Sequence, residues 1–160
     1  MPTTHLDAKD RHLLELLQRD ARRPLDELAH AVALSAPAVQ RRIRRLRETG
    51  VITAEVAVVD PAAVGMPMTF VLLVELERER VEQIDAFRRK VAAEDRVQQC
   101  YYVTGEADFV LVAVAESMDD FEALTRRLFF DDPNVRRFRT SVAMGSASRS
   151  LAVPTLEGVS

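Results

Sequence analysis

The chain has 160 residues, 48% of them hydrophobic and 29% charged, with a formal net charge of −3. That length admits one domain or two small ones, and that composition excludes wholesale disorder and a generally basic, DNA-coating protein. The charge is nevertheless divided. Residues through Glu55 carry ten Lys/Arg against eight Asp/Glu, and the remainder carries twelve against seventeen. Nucleic-acid contact, if present, is therefore confined to the front of the chain. The single Cys100 excludes an internal disulfide and, lying in the apolar run Val97–Val103, reads as a buried core thiol. No signal segment opens the chain and no apolar run approaches the ~20 residues of a membrane span, so the expected location is cytoplasmic, with no membrane partner.

Leu6–Asp20 repeats leucines at helical spacing (Leu6, Leu13, Leu14, Leu17), and Asp7 and Asp10 suit the positive end of that helix. Arg22-Arg23-Pro24 breaks it. Leu25–Ala33 is a second short helix with Leu25, Leu28, Ala29 and Val32 as its apolar face. Leu34-Ser35 is a turn, and Ala36–Thr49 is a third helix with five arginines packed into Arg41–Arg47. At about 100° per residue, Val39, Ile43 and Leu46 form a narrow inward seam, while Pro37, Arg41 and Arg44 lie nearly opposite. Ser35 is placed to cap this helix, Pro37 tolerates its first turn, and Gly50 suits the position just past its end. Three helices, the last two joined by a tight turn, make a helix-turn-helix unit.

Val51–Val59 is rich in β-formers and is expected to be a strand or wing. Asp60-Pro61 to Gly65-Met66-Pro67 reads as a hinge, giving domains of 1–59 and 68–160 around a 60–67 connection. Behind it, Met68–Glu77 is an apolar strand and Val81–Ala93 a helix with Ile84, Phe87 and Val91 on one side. Val97–Val103 and Phe109–Ala115 are strands flanking the turn Thr104–Asp108. Ser117 caps a helix over Met118–Phe130, ended by Asp131–Asn134. Val135–Met144 is a last strand with Phe138, Thr140, Val142 and Met144 on one face. The order β-α-β-β-α-β is the ferredoxin-like split unit, and residues after about Arg149 read as a tail or added edge segment. The fold class is α+β.

Several fragments together resemble the Lrp/AsnC, or feast/famine, transcriptional regulators. In the front half they are Leu6-Asp7 with Asp10-Arg11, Leu17–Arg22, Glu27-Leu28-Ala29, Leu34-Ser35, Val39, Arg42–Leu46 and Gly50-Val51-Ile52. Asp60-Pro61 and Gly65 follow. In the rear half they are Val103-Thr104-Gly105 with Asp108-Phe109, then Phe121, and Pro133 with Val135. The resemblance implies a winged helix-turn-helix domain followed by a ferredoxin-like regulatory (RAM) domain, cytoplasmic and of bacterial type. It implies dimers paired through facing sheets, assembling into octameric or similar rings, with small effectors, usually amino acids, in clefts between neighbouring dimers.

Arginines on an exposed recognition helix fork onto guanine or clamp phosphate, with the helix N-terminus nearest the base edges. Ser35, Pro37, Ala38, Gln40 and Arg41 are therefore assigned to base readout or its surroundings, with Gln40 suited to adenine, and Arg44 and Arg45 mainly to phosphate. Arg42 lies nearer the seam, where its stem packs and its head is placed to pair with an acidic neighbour. Arg47 is expected to be solvated, and Arg22 and Arg23 are either solvated or against phosphate. A two-fold dimer would read an imperfect palindrome in double-stranded DNA.

In the rear half, Gly105 permits positive φ and Asp108 could receive an ammonium group, or the two could serve an ordinary hairpin turn. By the resemblance, Gly105, Glu106, Ala107 and Asp108, with Met118 and the strand positions Thr140, Ser141, Val142 and Ala143, match places where effector contacts cluster. Small residues at Ala107, Ser141 and Ala143 leave either a roomier pocket or none. His5, His12 and His30 have no ligands at metal spacing, and there is no glycine-rich phosphate loop, no Gly-x-Ser-x-Gly and no paired carboxylates in a plausible cleft. No cofactor, metal or catalysis is expected. The function implied is a sequence-specific DNA-binding regulator modulated by a small effector. The alternatives are an effector-independent architectural regulator, or a sensor module without DNA binding.

Overall fold

A computed structural model describes residues 5–145 and 150–156. The chain divides into two compact units, the first made of residues 1–57 with 148–160 and the second of residues 58–147. The first unit holds α1 (Ala8–Arg19), α2 (Leu25–Val32) and α3 (Ala36–Glu48). Asp7 and Asp10 start α1 with a reciprocal cap, each side chain accepting the other's backbone N–H. Leu13, Leu28, Ala29, Val32, Val39 and Ile43 close the core between the three helices, and Leu46 is likewise fully buried. The inward seam of α3 is thus the one its spacing predicts.

The turn between α2 and α3 is made by Ala33, a non-glycine residue at φ +50. Its carbonyl accepts from Lys9 Nζ at 3.0 Å, which ties the turn to α1. Gly50, at φ +72, ends α3 as expected. Ser35 occupies the N-cap position, but its hydroxyl makes no capping bond. Pro37 at the second helical position removes one of the two N–H groups such a cap uses.

The strand or wing expected over Val51–Val59 is not formed. The segment has no regular secondary structure and no ladder partner among the described residues, and Val56, Val58 and Val59 are exposed. Its β-branched residues supply propensity, but a strand needs a neighbour to take its N–H and C=O groups. The expected hinge is an ordered turn. Pro61 O accepts from Val64 N–H and Met66 N–H, and Gly65 adopts φ +82.

The second unit is a four-stranded antiparallel sheet in the order β2-β3-β1-β4, from β1 (Met68–Leu76), β2 (Val97–Tyr102), β3 (Phe109–Ala115) and β4 (Val135–Val142). Two helices, α4 (Val81–Ala92) and α5 (Met118–Thr125), cover one face. Phe70, Leu72, Val74 and Leu76 of β1 point at them, with Phe70 stacked on Phe121 at 3.7 Å between ring centroids. Arg126–Phe130 continues α5 as a π-turn, whose Leu128 carbonyl accepts from Lys90 Nζ at 2.9 Å. Register pairs Val74 with Phe138, Leu72 with Thr140 and Phe70 with Val142, so β4 turns these three expected residues to the helical side, whereas Met144 lies beyond the strand's end and is exposed.

Two further expectations are corrected. Cys100 is exposed rather than buried. It lies on edge strand β2, where α4 roofs the sheet incompletely and leaves a cavity of about 430 Å³ lined also by Arg88, Val91 and Tyr102. Of the tail or added edge segment expected after about Arg149, the described part, Ser150–Leu156, adds no strand to the sheet. Ser150–Leu156 packs with the first unit, where Val153 and Thr155 hydrogen-bond to α1.

Candidate DNA interface and effector residues

Folding sorts the five arginines of α3 by partner. Arg42 Nη1 reaches Asp7 Oδ2 at 2.7 Å and Asp10 Oδ1 at 2.8 Å, while Arg45 Nη2 reaches Asp10 Oδ2 at 2.5 Å. Asp10 is 1% exposed, so both guanidinium groups converge on a buried carboxylate of α1. The Asp10 N–H, followed by the Arg42 guanidinium, holds the Asp7 carboxyl down at about 2, and Asp10 and Asp7 in turn raise Arg42. Arg47 closes on Glu55 with two bonds, of 3.0 and 2.7 Å. Arg41 and Arg44 are exposed and make no ion pair among the described residues. Arg23 pairs with Glu27 at 3.3 Å.

Around the free arginines, Ser35, Pro37 and Gln40 are exposed and Ala38 is half-buried. Gln40 leans to the α2 side, lining a depression of about 210 Å³ with Leu25, Leu28 and Arg47. Arg42 has the acidic partner its position near the seam suggested. Arg45, assigned to phosphate on sequence, is half-exposed and engaged by Asp10. Asp10 and Glu55 as arginine partners were not legible in the sequence. Asp7 and Asp10 read there only as charges favouring a helix start, and nothing local marks a contact spanning more than thirty residues.

The residues expected to contact an effector fall into two groups. Gly105, at φ +129, shapes the β2–β3 turn, Ala107 is buried and Glu106 is exposed beside Arg139 at 3.4 Å. Asp108 is bound structurally. Its Oδ2 accepts from Leu76 N–H at 2.7 Å, and its own N–H donates to Val74 O at 3.0 Å. The β1–β4 register shifts between Glu75 and Leu76, and the Asp108 carboxylate takes the N–H at that irregularity. Met118 opens α5, exposed, at the other end of β3, and Thr140, Ser141, Val142 and Ala143 are exposed where β4 ends beside Thr69 and Phe70. β3 runs between the turn and Met118, whereas the register sets Thr140 level with Leu72 and Leu111, two residues into β3, so the β4 positions lie across the sheet from the turn.

The face of the sheet away from α4 and α5 carries Val71, Leu73, Val110 and Val112, half-buried, with exposed Tyr101. At its β4 side, Glu75 Oε1 accepts from Arg137 Nε at 2.8 Å and lies 3.6 Å from Arg139. These arginines hold the Glu75 carboxyl below its usual range. Among the described residues no cluster of His, Cys, Asp and Glu could hold a metal, and no helix is long and apolar enough to cross a membrane.

Residues 6–47 match the AsnC-type helix-turn-helix domain, and residues 69–153 match the Lrp/AsnC ligand binding domain. The chain belongs to the Lrp/AsnC family. This Lrp/AsnC protein is a DNA-binding transcriptional regulator, in a family of regulators rather than enzymes. It is 43% identical to an uncharacterized HTH-type transcriptional regulator, y4tD, of Sinorhizobium fredii, over 93% of this chain and 88% of that one. Its fold matches the crystal structure of an AsnC family transcriptional regulator from Agrobacterium tumefaciens, with a TM-score of 0.86 and 27% identity over 93% and 97% of the two chains. It also matches the feast or famine regulatory protein from M. tuberculosis complexed with L-methionine, with a TM-score of 0.84 and 31% identity over 93% and 99%.

Proposed function

We propose that this Lrp/AsnC regulator reads imperfect palindromes through α3, with Arg41 at base edges and Arg44 on phosphate. The observation that carries the reading is the sorting of the arginines: Arg41 and Arg44 are exposed with no carboxylate partner among the described residues, whereas Arg42, Arg45 and Arg47 are each paired. Ser35, Pro37, Ala38 and Gln40 surround the reading end. Arg45 contributes to phosphate binding through the donors that Asp10 leaves open. Gel-shift titration of Arg41→Ala against cognate and scrambled duplexes tests the assignment. The expected result is a loss of cognate affinity with the preference between sequences relaxed.

Dimerisation through the open sheet face is supported by its apolar strip of Val71, Leu73, Val110 and Val112. Higher assembly, to an octamer, would let Gly105–Asp108 of one copy meet Met118 and Thr140–Ala143 of another and so complete a cleft for an amino acid. The L-methionine complex of the related feast or famine protein supports that effector class. The protein works in the cytoplasm. A thermal-shift screen of free amino acids, run beside sedimentation of the assembly, tests the effector reading. An effector at 100 times its dissociation constant raises stability by about 2.7 kcal/mol, and no shift with any amino acid overturns it.

A further inference from the structure

We propose that the outer face of α1 is a docking surface for the chain's own C-terminal segment, which straps the DNA-binding unit to the end of β4. Gln18 exchanges two hydrogen bonds with the Val153 backbone: Nε2 donates to the carbonyl at 3.0 Å, and the Val153 N–H donates to Oε1 at 2.7 Å. The side-chain amide thus offers the donor–acceptor pair of a peptide group. Thr155 Oγ1 lies 3.1 Å from the Arg11 carbonyl oxygen and 3.2 Å from Glu15 Oε2, and Arg11 Nη1 donates to the Thr155 carbonyl at 3.4 Å. Arg11, Glu15 and Gln18 sit at helical spacing on a single stripe of α1.

The hold is polar. Leu151 and Val153 remain 76% and 62% exposed, so little apolar burial locks the segment down. A contact made of a few hydrogen bonds is releasable, and that suits a strap better than a permanent core element. The helix it grips is also the one whose Asp7 and Asp10 hold Arg42 and Arg45 of the recognition helix. The linker from α3 enters β1, and the strap leaves from β4, which pairs with β1 at Phe70 and Val142. The DNA-binding unit is therefore tethered twice to neighbouring strands. A double tether restricts how far the two units of a dimer wander and raises the effective concentration of the second half-site.

This inference rests on the palindrome-reading dimer proposed above. Full-length Gln18→Ala/Thr155→Ala and full-length Gln18→Glu would each be titrated against a palindromic duplex and against a single half-site, with amide exchange followed along α1. The expected result is half-site affinity within about twofold of native, palindrome affinity reduced about 3- to 10-fold, and faster exchange along α1. Unchanged palindrome affinity overturns the strap, as does an equal loss on both duplexes, which would mark the segment as a stability element alone. Failure of the native protein to bind either duplex overturns instead the DNA reading on which the strap rests.

Discussion

Asp10, fully buried on α1, accepts Arg42 of α3 at 2.8 Å across the first unit. That contact, doubled by Arg45 on the same carboxylate, fixes α3 against α1. Removing the carboxylate leaves Arg45 facing an empty polar site and Arg42 with Asp7 alone. Asp10→Ala should destabilise the DNA-binding unit by about 2–3 kcal/mol, below the usual cost of breaking a fully buried pair because both arginines keep some water. Urea unfolding followed by helical signal measures it.

The pH dependence of the same network has a definite sign. The folded carboxyl of Asp7 sits at about 2, below its ordinary 3.8. A depressed folded value contributes stability that is fully present above 3.8 and is lost as the pH falls from there towards about 2. Urea midpoints at pH 6 and pH 3 should therefore differ less in Asp7→Asn than in the native chain. Equal differences in the two proteins contradict the assignment.

Asp108 separates a structural role from a ligand role. Asp108→Ala leaves the Leu76 N–H without its acceptor and should cost about 1–3 kcal/mol in thermal unfolding of the regulatory unit. Asp108→Asn keeps an oxygen acceptor and should cost less than half as much. If the two variants melt together, the Leu76 bond is not what Asp108 supplies.

Ala33 stands in the left-handed region at φ +50, where a Cβ is strained. Ala33→Gly relieves that strain but adds freedom to the unfolded chain. The balance should stabilise the unit by about 0.5–1 kcal/mol. Differential scanning calorimetry reads the change directly.

Much of this architecture was legible in the sequence because periodicity reports burial. The α3 seam of Val39, Ile43 and Leu46, the four strands and the two covering helices all follow from apolar spacing that the core then uses. What failed was what depends on neighbours. Val51–Val59 has the composition of a strand but no partner strand among the described residues, and Cys100 has an apolar context but an edge position. The site was half legible for the same reason. The exposure of Arg41 and Arg44 follows from the helical wheel alone, whereas the partners of Arg45 and Asp108 depend on contacts distant in sequence.

The central claim is that Arg44 of α3 lies on the DNA backbone while Arg42 is held inside the unit. It is tested most directly by the salt dependence of binding to a palindromic duplex from the region upstream of the protein's own coding sequence. The slope of log K against log salt for Arg44→Ala should flatten by about 1 per half-site, with affinity falling alike on all sequences. A slope equal to that of the native protein would contradict it.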